Sequence, residues 1–288
     1  MPELPEVEIV KQSLQNKVIN QKINKVNVFN RRLRHKLDYR FENFFKNQRI
    51  KNITRKSKFI IFHFIKDKYC ILHLGMSGTL HLIKNKYSSD FTNLSFYQSK
   101  LLPEKHNHVE FCFSNFKLIY NDPRRFGYFK LIKSKNDLYK FFKPFHPEAL
   151  DDEFNAIYLK KKLRNKSKNI KNFLLDQNFV SGIGNIYASE ILFYSKINPL
   201  IEGKNLNIFH MKKIVKFTNE VLKKAIKKGG SSIRDFKNVS GNQGFFQKDF
   251  KVYQRENLKC LKTGCRGLIE KKFISNRSSF FCNNCQIN

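Results

Sequence analysis

Four cysteines near the end of the chain constrain its folding more than any other feature. Cys260, Cys265, Cys282 and Cys285 are spaced C-x4-C-x16-C-x2-C. Two close pairs joined by a hairpin-sized insert can deliver four thiolates to one tetrahedral ion. The insert, GLIEKKFISNRSSFF (267–281), reads as strand, turn, strand. A closed set of four thiolates leaves no position for water, so the expected cofactor is a single structural Zn2+. Residues 251–288 are then a small hairpin module whose folding depends on its metal. Cys70 in KYCILHL and Cys112 in VEFCFS lie in apolar, strand-like settings and read as small core residues.

The remaining sequence divides by periodicity. Residues 5–17 read as one amphipathic helix, with Pro5 at a first-turn position and Val7, Val10 and Leu14 at helical spacing. From about 22 to 132 the pattern changes to short strands, among them FIIFHFI (59–65), CILHLGM (70–76), HVEFCFS (108–114) and KLIYND (117–122). Short strands separated by turns predict an antiparallel sandwich or barrel. The lysine-rich stretch 84–107 is expected to be an exposed loop. HPEALDDEF (146–154) marks a boundary, and helices are predicted over 155–164, 168–178, 186–195 and 207–228. The Gly- and Ser-rich run GGSSIRDFKNVSGNQGFFQ (229–247) is expected to be a loop, where a plain linker is the competing reading.

Lysine and arginine total 56 against 23 acidic residues, a formal charge of +33. Such an imbalance points to a polyanion, and phosphate backbones are the commonest one. Part of it follows from a Lys-, Asn-, Ile- and Phe-rich composition. No stretch has the ~18 uninterrupted apolar residues of a membrane span, and no long basic amphipathic helix suggests a membrane surface. The start MPELPEVEIV lacks the basic and apolar regions of a signal peptide, so a cytoplasmic, nucleoid-associated protein is expected.

The first eight residues, MPELPEVE, crowd three glutamates and two prolines together. Removal of the initiator Met would expose the secondary amine of Pro2. An α-amine has a pKa of about 7.7–8.0, so a useful fraction is nucleophilic at neutral pH. Attack on a sugar C1′ would give an iminium that acidifies the C2′ proton and permits β-elimination. Glu3 beside the amine is a candidate for moving protons to the ribose ring oxygen. Glu6, in a first helical turn where the dipole favours its charge, is a supporting group. Met-Pro alone is a common start; the octet as a whole is not.

MPELPEVE resembles the signature of the formamidopyrimidine-DNA glycosylases. So do RKSKFI (55–60), HLGMSG (73–78), EKHNHVE (104–110), DPRRFG (122–127), SGIGNIYASE (181–190), GGSSIRDF (229–236) and the terminal cysteine pattern with RSSFF. They run in the family's order along virtually the whole chain. The resemblance implies an α+β multidomain fold: an N-terminal antiparallel β-sandwich with an N-terminal helix (1–132), a linker (133–154), a helix-two-turns-helix domain (155–250) carrying a lesion-recognition loop (229–247), and a C-terminal β-hairpin zinc finger (251–288).

It also implies roles. Pro2 is the Schiff-base nucleophile and Glu3 the general acid/base; Lys58 assists elimination near the phosphate, although composition alone reads it as an ordinary solvated lysine. Arg277, in the zinc hairpin, stands at the 3′ phosphate and serves δ-elimination. Met76, Arg124 and Phe126 fill the space left by a flipped base; by itself Met76 reads as a half-buried hairpin residue. Asn185, opening a helix after SGIG, holds the lesion phosphate, and His106, Lys166 and Lys171 are further DNA contacts. Ser231 and Ser232 keep hydroxyls where many members have threonines, and the first cysteine pair is wider than the x2 of many members.

The implied activity is excision of oxidised purines from double-stranded DNA, followed by strand cleavage at the abasic site, by a monomer. Two alternatives stay open here. One is an endonuclease VIII-like enzyme for oxidised pyrimidines, against which Leu4 counts. The other is a non-catalytic damaged-DNA binding protein, against which Pro2, Glu3 and Lys58 count.

Overall fold

The structure, a computed structural model, describes residues 2–85, 88–90, 104–231 and 244–286. The chain forms two compact units, Met1–Lys143 with Lys228–Gln247, and Pro144–Lys227 with Lys248–Asn288.

The first unit begins with α1 (Leu4–Val18), whose apolar stripe of Leu4, Val7, Val10, Leu14 and Val18 is buried throughout. There follow β1 (Lys25–Val28), the single turn α2 (Phe41–Phe44), β2 (Asn52–Lys56), β3 (Phe59–His63), β4 (Tyr69–His73), β5 (Thr79–Asn85), β6 (Ser88–Asp90), β7 (Asn107–Cys112), β8 (Lys117–Asn121), β9 (Tyr128–Ile132) and α3 (Lys135–Phe142). Two antiparallel sheets result, in the orders β1-β7-β8-β5-β6 and β2-β3-β4-β9. Leu80, Leu82, Val109 and Tyr120 of the first share one core with Ile53, Ile60, Phe62 and Leu72 of the second and with the α1 stripe. This is the expected sandwich with its N-terminal helix.

Phenylalanines fill much of that core edge to face, as Phe41–Phe45 at 5.0 Å and Phe45–Phe111 at 5.1 Å between ring centres illustrate. FIIFHFI does not alternate because both faces of β3 are covered. Ile60 and Phe62 enter the sandwich core, while Phe59 meets Phe141 and Phe142 of α3 at 5.6 Å. Within the stretch expected as a linker, α3 is a regular helix capped by Ser134, whose Oγ accepts the Asp137 N–H at 3.1 Å. The lysine-rich stretch also carries structure: β5 runs to Asn85 and pairs with β6. Cys70 is buried in the core, and Cys112 is half-buried at the end of β7.

The second unit holds α4 (Ala156–Leu163), α5 (Ile170–Leu175), α6 (Asn185–Ser195), α7 (Ile208–Lys227), β10 (Ile269–Ile274) and β11 (Arg277–Cys282). Asn155 and Asn169 cap α4 and α5 through their side-chain oxygens. The hairpin of β10 and β11 turns at Ser275 and Asn276, both at positive φ, as a two-residue hairpin turn requires. Its core is not separate: Ile269, Phe280 and Cys282 pack with Val252 and with Phe193 of α6.

Candidate active site and nucleic-acid interface

In the first unit the candidate catalytic residues follow from the start of α1. Pro2 precedes the helix, half-buried, and Glu3 and Glu6 are each only 2% exposed. The Glu3 N–H donates to Glu6 Oε2 at 2.9 Å, so the Glu6 carboxylate fixes the backbone next to Pro2. The other oxygen, Oε1, accepts the Ser231 N–H at 2.8 Å and the Ser231 hydroxyl at 2.9 Å. One buried carboxylate therefore ties the N-terminus to the base of the 229–247 loop. That base is closed on itself, with the Phe246 N–H on the Gly230 carbonyl at 3.1 Å and the Phe245 N–H on the Lys228 carbonyl at 3.0 Å. Ser232, the rest of the loop to 243, and Met1 lie outside the described residues.

Lys58 sits with Ser57 in the tight turn between β2 and β3, whose ladder closes at Lys56 and Phe59. Ser57 has φ +55°, and Lys58 is 5% exposed, which is not the solvated state composition alone would assign. Arg55 braces this turn, donating from Nη1 to the Ser57 carbonyl at 2.9 Å and from Nε to Glu8 Oε2 at 2.9 Å. Burial works against charge on Glu8, but Lys11 and Arg55 beside it hold its carboxyl below the ordinary value. His73 is held neutral: burial first, then the charges of Lys58 and Arg34, push its pKa down to about 4.

Met76 and Phe126 are each 41% exposed, on turns that interlock. Gly75 has φ +68°, and a Cβ there would lie 2.4 Å from the Gly127 nitrogen, so the two turns meet backbone to backbone. Buried Asp122 organises both. Its carboxylate accepts from the Ser77 hydroxyl, from the Tyr120 hydroxyl at 2.9 Å and from the Gly127 N–H at 2.9 Å. Ser77 Oγ in turn accepts the Arg124 N–H at 3.2 Å. Arg124 projects outward with its guanidinium 4.6 Å from the Phe126 ring centre. His106 is half-buried, and its carbonyl accepts the Asp122 N–H at 3.0 Å. Asp122 and Ser77 are not singled out in the sequence; each lies inside a quoted segment, DPRRFG and HLGMSG, with no signal of its own.

In the second unit, the SGIGN turn is shaped by Gln177. Its Oε1 accepts the Gly182 N–H at 3.1 Å and its Nε2 donates to the Ile183 carbonyl at 2.9 Å. Gly182, at φ +101°, turns the chain into α6, which opens at Asn185. Asn185 Nδ2 donates to the Ser278 carbonyl at 2.9 Å. Lys171 is fully buried. Its ammonium donates to Ser279 Oγ at 2.7 Å, Ser189 Oγ at 3.2 Å and the Ser278 carbonyl at 3.3 Å. Ser275 at the hairpin turn donates to Asn172 Oδ1 at 2.7 Å. The hairpin tip is thus bolted to α5 and α6 by Lys171, Asn172 and Asn185, and Arg277 leaves it exposed between the bolted residues. Lys166 is exposed in the turn after α4.

The sulfurs of Cys260, Cys265, Cys282 and Cys285 all lie within 4.8 Å of one another. The Cys260–Cys285 and Cys265–Cys282 separations, 3.8 and 3.7 Å, match the ~3.8 Å edge of a tetrahedron with metal–sulfur bonds of about 2.3 Å, and Cys265–Cys285, at 3.1 Å, is shorter than that edge. Backbone N–H groups of Lys262, Gly267 and Cys285 point at three of the sulfurs at 3.3–3.5 Å, favouring thiolate charge. The four residues fit one metal ion.

Residues 1–129 match the formamidopyrimidine-DNA glycosylase N-terminal domain, and residues 145–237 the formamidopyrimidine-DNA glycosylase H2TH domain. The chain belongs to the formamidopyrimidine-DNA glycosylase family. A formamidopyrimidine-DNA glycosylase of Rickettsia bellii (strain OSU 85-389) is 40% identical, covering 99% of each chain. Another, from Legionella pneumophila (strain Philadelphia 1), is 38% identical, covering 99% of this chain and 98% of its own. The Lactococcus lactis enzyme in complex with abasic-site DNA superposes with a TM-score of 0.86 at 32% identity, covering 99% of this chain and all of that one. A mutant of that enzyme with Fapy-dG DNA gives 0.86 at 33% identity over the whole of both chains. Among the described residues no helix is long and apolar enough to cross a membrane.

Proposed function

We propose that this chain excises oxidised purines, 8-oxoguanine and formamidopyrimidines, from double-stranded DNA in base excision repair and then cuts the strand at the abasic site, in the cytoplasm and at the nucleoid. The observation that carries the reading is the buried node at the start of α1. Glu6 braces the Glu3 backbone beside Pro2 with one oxygen and the base of the 229–247 loop with the other.

With Met1 removed, the Pro2 amine attacks C1′ while the bond to the base breaks and Glu3 protonates the ring oxygen. The resulting iminium acidifies C2′–H; loss of that proton expels the 3′ phosphate, and δ-elimination then releases the 5′ phosphate. Lys58 acts at the phosphate from its braced turn, and Arg277 from the hairpin tip. Arg124, Phe126 and Met76 take the place of the flipped nucleotide. Asn185, His106 and Lys166 hold the backbone, while Lys171 serves through the hairpin it anchors. Cys260, Cys265, Cys282 and Cys285 hold one Zn2+, which supplies structure and takes no part in the reaction.

The family relation supports the purine preference, and so does chemistry. In 8-oxoguanine N7 is a donor, so a site with an acceptor there leaves a buried polar group unpaired when guanine enters. Ser231, and Ser232 beyond it, belong to the loop assigned to this reading. The test is single-turnover excision from matched duplexes: 8-oxoguanine opposite cytosine should be cut well ahead of thymine glycol. Preference for thymine glycol would replace this reading with the endonuclease VIII-like one.

A further inference from the structure

Starting at the Arg124–Phe126 turn, the first unit carries a run of cations of which the proposed reaction uses only Arg124. A hollow of about 580 Å³ lies among Arg32, Arg34, Arg124 and Arg125. Next to it, a hollow of about 460 Å³ is lined by Lys36, Tyr128 and Lys130, and a third of about 540 Å³ by Tyr39, Arg40, Lys68 and Lys133. The second and third share Asp38 and Leu131. The first and second are lined by consecutive residues of the same two segments, Arg34 and Phe126 beside one and His35 and Tyr128 beside the other, held together by the Arg34 N–H on the Gly127 carbonyl at 3.2 Å. The three form one groove along the 32–40 loop.

The loop is a fixed support. Arg31 turns inward, donating to the Asp38 carbonyl at 2.8 Å and pairing with Glu42, and its own carbonyl accepts the Leu33 and Leu37 N–H groups. Leu33 and Leu37 are buried beneath, so the neighbouring arginines and Lys36 face outward. The groove gathers nine lysines and arginines against one carboxylate, Asp38, which already caps the Arg40 N–H at 2.7 Å. Among the described residues none of the nine pairs with an acid. Like charges held this close call for an anionic ligand longer than a single phosphate.

The aromatic residues narrow the class. Tyr39 is 72% exposed, with the Arg40 guanidinium 4.8 Å over its ring. A duplex offers such a groove phosphates but no free base face; a single strand offers both, and base stacking on an aromatic ring is indifferent to sequence. We propose that this groove binds single-stranded nucleic acid, as a track that continues from the Arg124–Phe126 turn. The inference rests on the reading of that turn as a DNA contact.

The test is fluorescence anisotropy of a labelled thymidine oligonucleotide of about 16 residues with the full chain. Replacing Lys36, Arg40 and Lys133 together by alanine should weaken this binding by about tenfold and lower the salt slope by roughly 2. Tyr39→Ala should weaken it about fivefold with the salt slope unchanged, as loss of stacking requires. Both variants should still excise 8-oxoguanine from a short blunt duplex at the wild-type rate. The proposal is overturned if Tyr39→Ala binds the strand like wild type, or if the triple variant loses blunt-duplex binding by the same factor, which would make the groove a duplex rail. Failure of the wild type to excise 8-oxoguanine at all would instead sink the proposed function, which the strand-binding measurement does not depend on.

Discussion

Glu3 and Glu6 carry different work although both are buried in the same helical turn. Glu3 is proposed as the proton-moving group, so Glu3→Gln should abolish excision of 8-oxoguanine while sparing part of the cleavage of a preformed abasic site. Comparing the two substrates in one assay checks this, and equal loss on both would argue for a purely structural Glu3. At the proposed wedge, Arg124→Ala should weaken lesion binding and blur discrimination of the opposite base, whereas Lys166→Ala should lower affinity for every duplex and reduce the salt slope by about 1. An effect of Arg124→Ala confined to the salt slope would make it a backbone contact. Buried histidines set a further residue-scale expectation. Burial pushes His81 down to about 3 from the ordinary 6.5. A depressed folded-state pKa means stability that is present above pH 6.5 and lost as the pH falls toward 3, at a rate on the order of 1 kcal/mol per pH unit. His81→Gln should flatten that acid limb in denaturant titrations between pH 6.5 and 4; an unchanged slope would show that His81 does not govern it.

Among the elements, the β-hairpin at the C-terminus shows best what sequence could and could not tell. Cysteine spacing announced the four-cysteine cluster, and the strand-turn-strand insert announced the hairpin. Nothing in the spacing showed that Phe193 of α6 shares its core or that Lys171, Asn172 and Asn185 bolt its tip. Lys171 is expected from the resemblance as a DNA contact, and its burial was not legible because Ser278 and Ser279, which accept its bonds, lie over a hundred residues away. The helices were legible from 3.6-residue periodicity, but α2 and α3 were not. A single turn has no period, and α3 leaves no residue fully buried to mark one. Two outcomes follow for the hairpin. Cys282→Ser should release the metal and weaken lesion binding while the β-rich unit keeps its thermal transition; elemental analysis and calorimetry check it. Lys171→Met should retain the metal yet lower the ratio of δ- to β-elimination product, because it frees the tip that presents Arg277. Loss of metal from Lys171→Met would show that the clamp and the knuckles cannot be separated.

At the scale of the whole molecule, the two units divide the labour proposed for them. The β-rich unit holds Pro2, Glu3, Lys58 and the wedge, and the helical unit holds Asn185 and Arg277. The 229–247 loop returns to the β-rich unit, where Ser231 meets Glu6. Deleting about ten residues within 234–245 should cost activity on 8-oxoguanine while preserving cleavage of an abasic site, which needs no base recognition. Equal cutting of 8-oxoguanine by wild type and deletion variant would remove the loop as the reader. The central claim is that an N-terminal proline amine does covalent work on damaged DNA. Borohydride trapping on an 8-oxoguanine duplex, followed by mass spectrometry of the linked peptide, tests it most directly. The account predicts one covalent adduct joined through the nitrogen of Pro2; tight binding without an adduct, or linkage through a lysine alone, would contradict it.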